Sequence, residues 1–339
     1  MNAHYHWLHY LRGIAALMIV IFHLPHGKEE SITFHVSQHL WLFVDLFFVL
    51  SGFVNSQSIK GTRGSTFITK RAIRIIPLLS LVNASQLLVY VRSDLFSMSI
   101  FDKLAQQYPK ILESLLLADS SPLFGIGYGL NMVTWSISAE LICYSLLWAS
   151  FRTNSKSWVL PVSFILGGAV TMAYFEVPSA TSSEWGILRA IIGFGFGWLL
   201  GVVQSEVQLK PNHLRIKWIL AASFFTLVPF MLDKLPGYFF SVLIAGMFAV
   251  IVFLSTHFSE IGNRVIHKFL NRLGDWSYAL YLTHTLVLGF VIPRVDTATS
   301  AITTIFTVAL CVLVSFLVHV LVDFPLQSFF RRKFLRFSE

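Results

Sequence analysis

Charge is scarce in this chain. Asp, Glu, Lys and Arg make up 12% of its 339 residues, against about 25% in an average soluble domain, which excludes an ordinary solvated globule. Cysteine is nearly absent too: Cys143 and Cys311 both fall inside apolar runs, so there is no disulfide framework, and redox compartment is not legible from them. No 20–50-residue repeat, low-complexity tract or appended soluble domain interrupts the sequence. A phosphate-binding glycine loop is also missing. Gly193-x-Gly195-x-Gly197-x-x-x-Gly201 lies inside an apolar run, where small residues let helices approach closely. The first apolar run ends in His23-Leu24-Pro25-His26, with no small-x-small cleavage site, so it is expected to be retained rather than removed as a signal peptide.

Apolar length is what the chain has in quantity. Hydrophobic residues make up 55% and the mean hydropathy is +0.69. Ten apolar runs, at 7–24, 39–57, 75–91, 132–150, 158–175, 185–203, 215–231, 236–256, 276–292 and 300–322, are of membrane-spanning length. The expectation is an all-α membrane protein, a polytopic bundle of about ten transmembrane helices forming a single domain over residues 1–339. With the N-terminus inside, seventeen Lys and Arg fall in inner connections, counting Arg215 and Lys217 at the start of the seventh run, six fall in outer ones, and Arg12 and Arg189 lie within runs. That bias follows the positive-inside rule and places both termini in the cytoplasm. The net charge of +8 therefore reports topology and contact with anionic membrane lipid rather than nucleic acid.

Two connections stand out. The outer one at 92–131 ends in Gly125-Ile126-Gly127-Tyr128-Gly129 and is long enough for a lid. Within it, Tyr108–Leu117 could form a short helix, over the site or simply on the surface. On the inner side, residues 62–77 place Arg71 and Arg74 around apolar neighbours, which reads as an interfacial amphipathic helix running into the third span. Lys70, Arg71 and Arg74 would then cluster at the cytoplasmic mouth, unless they only anchor the helix.

Several polar groups sit where a bilayer makes them costly. Arg12 and His23 lie in the first run; eleven positions bring a helix about 20° past three full turns and about 16 Å along, so both point the same way. Asp45 is mid-run in Val44-Asp45-Leu46-Phe47-Phe48, with Ser51-Gly52 two turns on. Glu140 follows Trp135 by five residues, and Ser277, Tyr281 and His284 share one helical face. Arg189 opens the sixth run. Singly, each has a structural account: a helix-bridging histidine, an Asp45 that neutralises Arg12 or Arg189, interfacial aromatics at Trp276, Tyr278 and Tyr281, or an Arg189 that snorkels. Together they point to a shared polar cavity.

Such a cavity suits acyl transfer to a hydroxyl. His23 could take the proton of an attacking hydroxyl, Asp45 or Glu140 could orient the imidazole, and Arg12 could bind donor anions or offset oxyanion charge. A covalent acyl-histidine or acyl-tyrosine remains open. No metal is expected, since His4-x-His6-x-x-His9 has no cysteine nearby and no clear fourth ligand.

These residues resemble a known family. Leu11-Arg12-Gly13-Ile14-Ala15-Ala16 with His23, Val44–Phe53, Lys70–Pro77, Trp135-Ser136-x-x-x-Glu140 and Gly274-x-x-Ser277-Tyr278-x-x-Tyr281-Leu282-x-His284 are similar, in order, to the motifs of acyltransferase family 3. These are integral membrane enzymes that O-acetylate bacterial surface glycans. The resemblance implies a ten-helix bundle in the bacterial cytoplasmic membrane. Acetyl-CoA would be the cytoplasmic donor, and the acceptor would be a surface or lipid-linked glycan such as lipopolysaccharide, capsule or exopolysaccharide. It implies catalytic roles for Arg12 and His23 with Glu140 and Asp45, a CoA-phosphate role for Arg71 and Arg74, and cavity positions for Ser51, Trp135, Ser277, Tyr281 and His284. Phe43 departs from the small residue that the family commonly has there, and its bulk would narrow the pocket or shift a helix contact. Some relatives carry a C-terminal extracytoplasmic esterase-like domain. None is expected here, so the chain would act on its acceptor directly or hand the group to a separate extracytoplasmic protein. The alternative from the polar residues alone is a transporter or flippase; a non-catalytic partner or sensor is a third.

Overall fold

The computed structural model describes residues 6–24, 37–59, 62–93, 100–117, 129–152, 158–178, 182, 185–204, 236–257, 260–291 and 301–335, and among these every regular element is helical. In chain order they are α1 (His6–Phe22), a 3-10 turn (Leu40–Leu42), α2 (Phe43–Ser58), α3 (Gly64–Ser93), α4 (Ile100–Leu116), α5 (Thr134–Arg152), α6 (Val159–Tyr174), α7 (Gly186–Val203), α8 (Gly237–Ser255), α9 (Arg264–Val291) and α10 (Ala301–Val318). A π-helical turn (His319–Asp323) then leads into α11 (Phe324–Phe334).

The expectation of about ten transmembrane helices is met in part. Five helical stretches are long and apolar enough to cross a membrane: Leu40–Ser58, Gly64–Arg92, Gly186–Val203, Gly237–Ser255 and Ile302–Phe334. His6–Phe22 and Val159–Tyr174 are apolar but shorter. Helices α5 and α9 have the length, but the polar residues of the site lower their hydropathy. The run at 215–231 lies outside the described residues, as do most of the glycine-rich segment before Gly129 and the histidine at position 4. The basic segment at 64–77 runs into the span, as expected, continuing through Pro77 as one 30-residue helix. The short helix expected at 108–117 belongs to the longer α4.

Close helix contacts explain how the bundle holds its polar residues. Lipid is as apolar as leucine, so packing rather than the hydrophobic effect joins helices within a membrane. Gly193, Gly197 and Gly201 recur every four residues on the face of α7 that meets α2. A Cβ on Gly193 would lie 2.9 Å from the Phe48 Cβ, and one on Gly197 2.7 Å from the Phe53 backbone nitrogen. Gly195 points the other way, with its Cβ position 2.9 Å from Ile165 Cγ1 on α6. A second crossing joins α1 to α9, where Gly13 lies against the Gly274 nitrogen at 2.8 Å by the same measure. With α1 also packed on α2, these crossings set α1, α2 and α9 around the cavity described next. The outer surface is apolar: on α10 and the turn beyond it, Ile302 is 79% exposed and Leu321 68%, as expected of side chains that face lipid.

Candidate active site

A cavity of about 330 Å³ lies between α1, α2, α3, α5 and α9. Arg12 from α1, Ser51 from α2, Arg71 and Arg74 from α3, Glu140 from α5, and Ser277 and Tyr281 from α9 all line it. Leu8 and His9 in the first turn of α1, with Ser58 at the end of α2, place it toward the end of the bundle where α1 begins.

The three arginines are held differently. Arg12 and Arg74 make no side-chain hydrogen bond or ion pair to any described residue. Arg71 donates from Nη2 to the Ser58 hydroxyl at 2.8 Å and lies over the rings of Phe67 and Tyr144 at 5.5 and 5.9 Å, and its buried Nε has no hydrogen-bond partner. Lys70, expected beside them, is exposed on the outside of α3.

Facing the arginines, Glu140 accepts hydrogen bonds at Oε1 from both the Ser51 and Tyr144 hydroxyls. Asn55 donates from Nδ2 to the Ser51 hydroxyl at 3.1 Å and to the Ser51 carbonyl at 2.8 Å. Charge-assisted bonds of this kind are about twice as strong as neutral ones, so the cluster fixes the carboxylate on the cavity wall.

Asp45 and Trp135 stand elsewhere. Asp45 is buried between α2 and α7, where Arg189 donates to it from Nη2 at 2.7 Å and from Nε at 3.3 Å. The guanidinium also stacks over Trp41 and Trp135, at 4.6 and 5.5 Å to the ring centres. Of the two roles read for Asp45, the structure has the ion pair; it does not bring this carboxylate to His23. Arg189 does not snorkel, being 3% exposed.

His23 lies at the far end of α1 from the cavity mouth. Its ring centre is 5.0 Å from that of the fully buried His284, with His284 Nε2 3.4 Å from His23 Nδ1. Tyr281 stands between this pair and the cavity. Its ring is 6.1 Å from His284 and 5.7 Å from Phe47, and its hydroxyl shares a 2.7 Å hydrogen bond with Ser136. Ser277, Tyr281 and His284 thus do occupy one face of α9, the first two on the cavity and the third one turn beyond.

Four contributors escaped the sequence reading. Tyr144 is four residues after Glu140 and Asn55 four after Ser51, a helical spacing that could have flagged both. Trp41 carries no such signal. His9, on the cavity wall, donates from Nε2 to Asp275 Oδ1 at 3.1 Å, and nothing in the spacing of a first-turn histidine reveals a partner 266 residues away. Of the two effects read for Phe43, the structure has the helix contact: it packs on Phe248 of α8 at 6.0 Å between ring centres.

The sequence profile of the acyltransferase domain of family 3 matches residues 5–320. The chain belongs to this family. It is also similar to the exopolysaccharide production protein ExoZ of Rhizobium meliloti (strain 1021), with 29% identity over 261 residues, 73% of this chain and 76% of that one. No solved structure matches it. The protein is accordingly a multi-pass membrane acyltransferase, one that transfers groups other than amino-acyl groups, and the cavity with its arginines is the candidate site of that acyltransferase.

Proposed function

We propose that this acyltransferase moves an acetyl group from acetyl-CoA to a hydroxyl of a cell-surface or lipid-linked glycan at the bacterial cytoplasmic membrane. One observation carries the reading: Arg12, Arg71 and Arg74 converge on a single cavity, and Arg12 and Arg74 have no described side chain to bond with. Cations held in a low-dielectric wall favour an anion brought in from outside, and the phosphates of CoA supply one. The cavity volume of about 330 Å³ is in the range of small-molecule pockets. The excess of Lys and Arg in alternate connections supports a cytoplasmic opening for the donor. The name of the rhizobial relative supports a polysaccharide acceptor.

The chemistry assigned to the residues is direct transfer. His23 takes the proton from the acceptor hydroxyl, whose oxygen attacks the thioester carbonyl. The new C–O bond forms, the C–S bond breaks, and the proton on the imidazole passes to the departing thiolate. Arg12 offsets negative charge on the donor, and Glu140 balances the arginines from the opposite wall. Arg71 and Arg74 hold phosphates, while Tyr281 separates the donor cavity from the histidines. Where the acceptor is not reached directly, a separate extracytoplasmic protein receives the acetyl group.

Donor binding to the purified protein in nanodiscs tests this reading. Radiolabelled acetyl-CoA should bind to the wild type and lose about tenfold to a hundredfold in affinity with Arg12→Ala or Arg74→Ala, the range expected for one charge-assisted hydrogen bond. Equal affinity in all three proteins would remove the cavity from donor binding.

A further inference from the structure

The contacts that join His23 and His284 to each other and to the carbonyls of their own helices place a proton on each Nδ1. Each Nδ1 faces a carbonyl of its own helix: Ile19 O at 2.9 Å for His23 and Leu280 O at 3.1 Å for His284. A carbonyl oxygen only accepts, so both Nδ1 atoms carry hydrogen. Neutral His284 then has its lone pair on Nε2, and this atom is the one 3.4 Å from His23 Nδ1. The Nδ1 hydrogen of His23 is therefore shared between the Ile19 carbonyl and His284 Nε2. The reverse assignment sets a nitrogen lone pair against each carbonyl oxygen, two repulsions in a site where His284 is 0% exposed.

We infer that His284 is a positioning residue for His23. It holds His23 as the Nδ1–H tautomer, which leaves the basic lone pair on Nε2, and it steadies the ring when Nε2 takes a proton. The inference rests on the reading of His23 as the base in acyl transfer. In the step written above, the hydroxyl proton arrives at His23 Nε2 and later leaves from the same atom to the thiolate. The Nδ1 hydrogen stays in place throughout, and the positive charge that appears on the ring in between is shared with His284 through that bond. Serine-protease triads give this task to a carboxylate. Among the described residues no carboxylate bonds to His284, and Asp45 accepts from Arg189 instead. A neutral imidazole and two main-chain carbonyls orient the base without adding a negative charge to the apolar interior, where an unpaired charge is costly.

Two variants and one spectrum test it. His284→Leu removes the acceptor; His284→Gln keeps one, because its side-chain oxygen reaches about as far as Nε2. Transfer kinetics in nanodiscs should show His284→Leu losing kcat between about tenfold and a hundredfold, a part of the roughly 10²–10⁴ that a positioned base contributes. The KM for acetyl-CoA should stay within about twofold, and His284→Gln should recover most of the rate. In histidine 15N-labelled wild type, assigned through the His23→Ala spectrum, His23 should show a proton on Nδ1 and none on Nε2. In His284→Leu the two tautomers should mix. Full activity in His284→Leu, or a wild-type proton on Nε2, overturns the inference. Activity retained in His23→Ala would overturn the reading of His23 as base, and the spectrum would still show separately whether His284 sets the tautomer.

Discussion

Both carboxylate oxygens of Asp45 accept hydrogen bonds from Arg189, at 2.7 and 3.3 Å, across the contact between α2 and α7. Arg189 lies one turn before Gly193, on the same stripe of α7 that carries Gly193, Gly197 and Gly201. The glycines bring the two backbones together, and the approach buries the ion pair: Arg189 is 3% exposed and Asp45 4%. Removing one partner leaves a charge stranded in an apolar interior, which costs about 3–5 kcal/mol. Arg189→Leu or Asp45→Leu should therefore lower the melting temperature sharply in detergent. The double variant should recover part of the loss, because a pair of apolar side chains strands nothing. Single variants as stable as the wild type would show that the pair contributes little.

The glycine stripe makes a second, sharper contrast. A methyl on Gly197 would meet the Phe53 nitrogen at 2.7 Å, whereas one on Gly167 would meet nothing within 4 Å. Overpacking costs about 1–3 kcal/mol, while alanine improves an exposed helix position. Gly197→Ala should lower the melting temperature and Gly167→Ala leave it unchanged or raise it. Thermal unfolding followed by size-exclusion chromatography reads both, and equal behaviour of the two would refute the tight α2–α7 contact.

Arg71 and Arg74 are assigned to the donor and not to the bond being broken. Arg71→Ala and Arg74→Ala should each raise the KM for acetyl-CoA by about tenfold or more with kcat little changed, the pattern of lost uniform binding. A fall in kcat at constant KM would place them at the reacting atoms instead.

Tyr281, hydrogen-bonded to Ser136 and packed on Phe47, stands between the cavity and His284. Cutting it back to alanine should let water past this point. Acetyl-CoA hydrolysis without acceptor, measured as free thiol released, should rise in Tyr281→Ala and stay at background in the wild type. No rise would mean that Tyr281 is not what separates the two compartments.

Helix positions, the glycine stripe and the set of intramembrane polar residues were legible from periodicity and from the cost of charge in a bilayer. Which residue meets which was not. Asp45 reads equally well against Arg12 or Arg189, and only the packing of α2 on α7 decides between them. His23 and His284 are 261 residues apart, and no local spacing joins them. Arg12 lies on the cavity while His23, at the other end of α1, meets His284 on the far side of Tyr281, so one helix serves two compartments. Phe43 reads equally well as narrowing the pocket or shifting a helix contact, and only the packing of its ring on Phe248 of α8 decides between them. Helices α5 and α9 fall short of the hydropathy of the five long apolar stretches for a related reason, since the residues that make the site are ones that lower hydropathy.

The most direct test of the account uses the intact chain and its His23→Ala variant in a bacterial host that lacks other glycan O-acetylation. O-acetyl signals are then sought by NMR on surface and lipid-linked glycans, with protein levels matched by immunoblot. The account predicts an O-acetyl signal with the wild type and its loss with His23→Ala. The same signal from both proteins would contradict it, and would take His23 out of the chemistry.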